Sequence, residues 1–302
     1  MLRISVVIPT LDRPGPLTAC LQALTQSFPA DVETIVISDG GAHDLGQWLA
    51  PFVEPLRLQY LVAPHGGPAS ARNHGLSSAR GDIVAFIDDD CRPRPEWLRS
   101  LTAGVSLSPP RATGGTTFNG LLSNPYAKAS QLILDLVARH ERETYGDESF
   151  FPSNNLAFPT EALRRIGGFD ESFRTAEDRE LCRRWRRAGF ALDRVPEAIV
   201  DHDARLNFTG FLRRSFAYGR GGAQFHSSGD SSSFGESVAF HLRLPRLVGF
   251  ELVRQGPRRG AGLLGLLVLW EVANLAGFLT ARPRRPAPRL ISVKVNQKEN
   301  VL

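Results

Sequence analysis

Ile83-Val84-Ala85-Phe86-Ile87-Asp88-Asp89-Asp90 is the stretch on which the reading of this chain turns. Its first five residues are apolar without a break, which predicts a strand buried on both faces of a parallel sheet. The run ends in three adjacent carboxylates. Such a group repels itself unless a cation lies among its oxygens, and hard oxygen donors suit Mg²⁺ or Mn²⁺. The alternative for the same residues is an acidic turn capping the next helix near Pro95.

The pattern upstream supports the strand. Ile4 to Ile8 is a second short β-branched run, and Leu17, Cys20, Leu21, Leu24 and Phe28 follow at helical spacing. Thr34 to Ile37 reads as a strand ending at Ser38-Asp39-Gly40-Gly41, and Leu56 to Val62 as another. Ser70 to Ala79 is helical and stops at Gly81, and Trp97, Leu98, Leu101 and Val105 mark a helix after the aspartates. Alternation of strand and helix predicts an α/β fold with a mostly parallel central sheet flanked by helices. Ligands of such sheets bind at the carboxyl ends of the strands, so Asp39 and Asp88–Asp90 share one rim.

Beyond residue 110 the pattern is mixed. Leu132 to Arg142 reads as helix, Ser153-Asn154-Asn155-Leu156-Ala157-Phe158 as a loop entering a strand, and Glu177 to Ala188 as a helix with a basic face. After 205 the chain reads as helical, broken by the polar loop Ser227–Ser233. Leu263 to Ala281 is nearly continuous apolar sequence interrupted by Glu271 and Asn274, and a central glutamate favours a buried or interfacial helix over a span. Arg254, Arg258 and Arg259 precede it and Arg282, Arg284, Arg285 and Arg289 follow, which suits docking of 243–289 on an anionic membrane surface. The expected organisation is one main domain over 1–205, with the nucleotide-pocket rim in its half to about 110 and a mixed half over 111–205. A membrane-associating helical appendage over 206–286 and a polar tail over 287–302 complete it.

Composition bounds the setting. At 302 residues, 42% of them hydrophobic, the chain can bury a large core. Its three cysteines, Cys20, Cys91 and Cys182, are odd in number and far apart, which argues against disulfides or zinc and for a reducing compartment. A net charge of +5 would suit nucleic acid, lipid or phosphorylated ligands, but the interleaved aromatics of a nucleic-acid platform are missing from the pattern. The N-terminus reads as a first strand rather than a signal peptide.

Taken together in order, Ser5-Val6-Val7-Ile8-Pro9-Thr10, Ile37-Ser38-Asp39-Gly40-Gly41, Ala71-Arg72-Asn73-His74-Gly75, Phe86-Ile87-Asp88-Asp89-Asp90, Ser153 to Phe158, Ile166-Gly167-Gly168-Phe169-Asp170 and Ala176-Glu177-Asp178 resemble the family 2 glycosyltransferases. The resemblance covers about residues 3–205 and implies the GT-A fold. It implies a nucleoside base lying against Pro9 and Thr10, Asp39 accepting from a pyrimidine N–H, and Arg72 beside the nucleoside. Asp88 and Asp90 form the DxD motif, with Asp89 facing the ribose and Asp90 on the metal. Many members end the second strand Asp-Asp-Gly-Ser, so the single Asp39 weakens the case for uracil.

The resemblance also implies that Glu177-Asp178 supplies the general base, with Asp178 the candidate, at a helix start whose dipole keeps it ionised. His202 completes the metal site, its ring oriented by Asp201 and Asp203. Asn154, Asn155 and Gly168 line the donor sugar and acceptor, and Trp185 stacks on a sugar ring or packs in the core. Cys182-Arg183-Arg184-Trp185 lies too close to Glu177 for the motif of processive synthases. Arg213, Arg214 and Arg220 form a basic stretch that either meets phosphate or is simply solvated. The expected function is metal-dependent, inverting transfer from a UDP-, GDP- or dTDP-sugar to a saccharide or lipid-linked acceptor in the cytoplasm, at the inner membrane face, in surface-polysaccharide or glycolipid synthesis. A sugar nucleotidyltransferase is the alternative, disfavoured because Pro9-Thr10-Leu11-Asp12-Arg13-Pro14 replaces a Gly-rich loop. A non-catalytic scaffold is another, disfavoured because both sets of carboxylates are present.

Overall fold

The computed structural model describes residues 2–26, 32–145, 150–228, 240–244, 246–249 and 257–281. Phe28, the loop beyond Ser228 and the tail over 287–302 lie outside these residues. The four apolar runs form β1 (Ile4–Thr10), β2 (Val32–Asp39), β3 (Leu58–Ala63) and β4 (Ile83–Phe86), all parallel, in the spatial order β3-β2-β1-β4. Between them run α1 (Pro14–Thr25), the short α2 (Gly46–Leu49) and α3 (Pro68–Ser78).

Past the aspartates come β5 (Cys91–Pro93), α4 (Trp97–Ala103), β6 (Ser106–Leu107), β7 (Pro110–Asn119), α5 (Pro125–Tyr145), β8 (Leu156–Pro159), α6 (Thr160–Arg165), α7 (Glu177–Arg187) and β9 (Ala191–His202). The sheet continues β8-β7-β9-β5, with β8 antiparallel to β4 and to β7, β9 parallel to β7, and β5 antiparallel to β9. The parallel half is thus extended by a mixed one, and both belong to a single sheet.

Strand periodicity divides the core in two. Val6, Ile8, Val36, Ile83 and Ala85 face one layer, with α1 and α4 supplying Leu17, Leu21, Trp97 and Leu101. Val7, Ile35, Ile37, Val84 and Phe86 face the other, against Ala71, Leu163, Leu181 and Trp185 of α3, α6 and α7. A third cluster joins α5 to α8 (Phe208–Ser227), the helical residues 240–244 and 246–249, and α9 (Pro257–Thr280) through Ile133, Leu136, Phe211, Phe240, Leu263 and Trp270. The C-terminal helices are therefore packed onto α5 rather than hung from the end of the sheet.

Candidate active site

Asp88, Asp89 and Asp90 fill the turn from β4 to β5, held by Cys91 N–H donating to the Asp88 carbonyl at 3.0 Å. Each carboxylate meets a different partner. Asp89 is fully buried and accepts from Thr10 Oγ1 at 2.6 Å and from Arg13 Nε at 3.1 Å, with a second, closer bond from Arg13 Nη2. Arg13 Nη1 also reaches Asp90 Oδ2 at 3.0 Å. Asp88 accepts from Arg72 Nη2 at 2.6 Å.

Arg72 joins the two acidic motifs. It projects from α3, is only 3% exposed, and donates its other terminal nitrogen to Glu177 Oε1 at 2.9 Å. Its guanidinium lies 5.5 Å from the centre of the Phe169 ring, and its Nε is buried without a partner. One arginine thus fixes the distance between the end of β4 and the start of α7. Arg72, expected beside the nucleoside, lies between two carboxylates, and Asp89, expected to face the ribose, accepts from Thr10 and Arg13.

Burial and charge set the protonation of the site. Burial pushes Glu177 up to about 7, with the Asp178 charge adding to the rise and Arg72 opposing it. Burial also raises Asp178, against hydrogen bonds from the Arg179 and Ser153 backbone and the charges of Arg72 and Arg179. Asp178 is partly exposed whereas Glu177 is buried on Arg72, so Asp178 is the member that a reactant can touch. Burial takes Asp89 to about 7 despite Arg13 and Thr10. Asp90 goes the other way: burial alone would raise it, but His202, Arg13 and Arg214 hold it well below the ordinary carboxylate range.

Asp90, Cys91 and His202 bring a carboxylate oxygen, a sulfur and an imidazole nitrogen within 4.8 Å of one another, with His202 Nε2 at 3.4 Å from Asp90 Oδ1. Cys91 faces His202 across the β5–β9 ladder, and the Asp203 N–H donates to the Asp90 carbonyl at 2.7 Å. Burial raises the Cys91 thiol well above its ordinary value, and its soft sulfur suits neither Mg²⁺ nor Mn²⁺ as well as oxygen or imidazole does. The ionised Asp90 with the His202 imidazole is a donor pair that fits Mn²⁺ better than Mg²⁺. Asp88 lies outside this group, one oxygen bound to Arg72. Asp201 and Asp203 do not orient the His202 ring; they pair with Arg94 and Arg92.

Asp39 holds the β3–α3 loop, its oxygens accepting from the N–H groups of Gly66 at 2.8 Å and Gly67 at 3.0 and 3.1 Å. Asn154 accepts from Thr117 Oγ1 at 3.1 Å, in the turn whose Ser153 backbone bonds Asp178. Asn155 is fully buried; it donates to the Thr116 and Ala198 carbonyls and accepts from Trp97 Nε1. It therefore ties β7, β9 and α4 together rather than lining a sugar. Gly168 turns the chain at φ +63°, its carbonyl bound by Arg184. Trp185 is core: fully buried, 5.0 Å from Phe158 and 4.9 Å from Phe190 between ring centres, with Nε1 donating to Ala191.

Sequence reasoning missed Arg13 and Tyr218. Nothing local marks Arg13 as the partner of carboxylates 76 and 77 residues away. Tyr218 lies on α8, where burial raises its phenol and the charges of Arg214, Asp178, Glu177 and Asp88 all reach it. α8 is tethered beside the start of α7 by Thr175 Oγ1, two residues before Glu177, donating to the Ala217 carbonyl at 2.8 Å.

The sequence pattern described as Glycosyl transferase family 2 matches residues 5–167, more than half of the chain. The pre-mycofactocin glycosyltransferase of Mycobacterium tuberculosis strain CDC 1551 is 34% identical over 223 residues, 72% of this chain and 46% of that protein. The chain thus spans about half the length of that relative. Glycosyltransferase AglE of Haloferax volcanii is 25% identical over 228 residues, 73% of each chain. A mannosyltransferase from Pyrobaculum calidifontis, solved in complex with GDP-Man and Mn²⁺, superposes with a TM-score of 0.64 at 17% identity, over 92% of this chain and 87% of that one. This likeness speaks to the fold, the GT-A arrangement expected from the motifs. By the family pattern and the 34% relative, the chain belongs to glycosyl transferase family 2.

Proposed function

We propose that the chain transfers a glycosyl group from a nucleoside-diphosphate sugar to an acceptor hydroxyl, with inversion. The observation that carries this reading is the Arg72 bridge, which sets the donor-end carboxylates and the Glu177-Asp178 pair around one space. Asp178 takes the proton of the acceptor hydroxyl. That oxygen forms the new bond to the anomeric carbon as the bond to the diphosphate breaks on the opposite side. Glu177, neutralised by Arg72, keeps a second negative charge from Asp178. Asp90 and His202 would hold a divalent ion, Mn²⁺ before Mg²⁺; Asp88, the third expected ligand, has one oxygen engaged by Arg72. When bound, that ion supplies Lewis-acid stabilisation of the departing diphosphate. Arg214, whose charge already acts on Asp90, adds positive charge on the same side.

The base would lie along Pro9 and Thr10, beside the loop that Asp39 holds. The donor is a UDP-, GDP- or dTDP-sugar and the acceptor a saccharide or a lipid-linked saccharide. Three buried free thiols suit work in a reducing cytoplasm. The test is binding and hydrolysis of a panel of nucleotide-sugars with Mn²⁺, for the wild type, Asp90→Ala and Asp178→Ala. Asp90→Ala should lose Mn²⁺ binding, and Asp178→Ala should retain it but lose turnover. Failure of every nucleotide-sugar to bind, or wild-type behaviour of Asp90→Ala, overturns the reading.

A further inference from the structure

We infer that the outward face of α9 is a docking surface for an anionic lipid bilayer, and that α9 lies along the surface rather than across it. Leu264, Val268, Val272, Leu275 and Leu279 recur at helical spacing and are all exposed, from 47% at Leu264 to 73% at Leu279. Ala261, Gly262, Gly265, Leu269 and Ala276 complete the exposed side, which carries no charge from Ala261 to Leu279. The segment Gly260–Thr280 has a mean hydropathy of 1.8 over its best 18 residues, yet only 22% of those are buried. A helix this apolar and this exposed is unusual for a surface that meets only water.

The one acid of the segment is paired: Glu271 Oε1 lies 2.9 Å from Nδ1 of His241, whose ring stacks on Trp270. The Glu271 side chain is still 33% exposed, which suits a helix at a wet interface and would be costly in hydrocarbon. The inward side of α9 is locked to α8 by a reciprocal glycine crossing. A Cβ on Gly219 would overlap the Asn274 carbonyl, and a Cβ on Gly277 would overlap the Phe216 carbonyl. The two helices therefore move as one body.

That lock separates lying from spanning. α8 runs beside α9 and carries Arg213, Arg214, Arg220, Gln224 and His226. A membrane crossing by α9 would draw this polar helix and its arginines into hydrocarbon, where each charge is costly. A helix on the surface immerses only the uncharged stripe. Charge identifies the occupant: Arg258 and Arg259 open α9, and Arg282, Arg284, Arg285 and Arg289 follow it, so both ends of the apolar stripe meet basic sequence. Arg near an anionic leaflet is drawn to it by the negative surface potential. A second copy of the chain would bring these arginines together and is disfavoured by the same charge.

The experiment is flotation of the full chain with vesicles of phosphatidylcholine alone and of phosphatidylcholine mixed with phosphatidylglycerol. It needs no donor, metal or acceptor, so it stands or falls apart from the transfer chemistry. The wild type should float with the anionic vesicles, less so as salt is raised, and weakly with the neutral ones. Val268→Glu with Val272→Glu should lower the bound fraction at least about tenfold, and Val268→Asn with Val272→Asn should lower it without adding charge. Leu122→Glu, exposed but off this face, should float as the wild type, and circular dichroism should match throughout. A wild type that stays with the protein fraction overturns the inference, as do glutamate or asparagine variants that float unchanged. A wild type that is dimeric by light scattering, with the glutamate variant monomeric and neither floating, assigns the face to a second copy instead.

Discussion

Arg72→Ala is the most searching perturbation of the site. Two charge-assisted hydrogen bonds are lost, each worth about 1.5–3 kcal/mol. The bond to Asp88 is discounted to about 1 kcal/mol, because that carboxylate is 27% exposed and rehydrates. The bond to Glu177 keeps its full weight, since its side chain is only 10% exposed and is left in the interior without its partner. The contact with Phe169 adds about 0.5–1 kcal/mol, and removing the unpartnered Nε gives back about 1 kcal/mol. The sum is a loss of about 3 kcal/mol, which in a chain of this size lowers Tm by roughly 6 °C. Differential scanning fluorimetry and urea titration measure it. The same change has a functional sign. Arg72 lowers the proton affinity of both Glu177 and Asp178, so its removal lets the pair take up protons at higher pH. The acid limb of kcat/KM should move to higher pH in Arg72→Ala and part of the way back in Arg72→Lys, which offers one point charge in place of a fork. A Tm within 1 °C of wild type, together with an unmoved acid limb, would refute the bridge.

Three further outcomes follow from the same geometry. Asp178→Asn should cut kcat by about 10²–10⁴-fold with nucleotide-sugar affinity unchanged; in the wild type, kcat/KM should fall with decreasing pH at a point above the ordinary aspartate range, since the base must be deprotonated and burial raises Asp178. Gly219→Val should cost at least about 1–3 kcal/mol by overpacking the α8–α9 crossing, and adding Gly277→Val should cost less than the sum, because both substitutions push the same two helices apart. Trp185→Ala should destabilise by about 3–5 kcal/mol in urea titration, with KM for the acceptor unchanged in the folded fraction; a raised KM at normal stability would return Trp185 to the sugar site.

What could be read in advance follows from where each kind of information is stored. A strand buried on both faces must be apolar at every position, so β1, β2 and β4 announce themselves in a few consecutive letters, and the carboxylates at their ends stand out against that background. β7 and β9 carry no such signal. β7 contains Gly114 and Gly115 because Phe151, Asn155 and the Ala198 carbonyl press against its backbone, where any Cβ would collide. β9 holds Pro196 among charged residues, and its Asp201 answers to Arg94, just past β5, rather than to a core. A strand chosen for close approach or for charge pairing looks like a loop in one dimension. The site divides in the same way. Residue types at strand ends and helix starts were legible because local geometry and electrostatics select them. The pairing of Arg13 with Asp89 and of Arg72 with Glu177 was not, because contacts across 76 and 105 residues are decided by how helices dock on the sheet. Asp39 shows the limit most sharply. A lone acid before Gly-Gly at the binding rim has the same sequence whether it accepts from a ligand or from the N–H groups of Gly66 and Gly67, and only the fold of the neighbouring loop distinguishes the two.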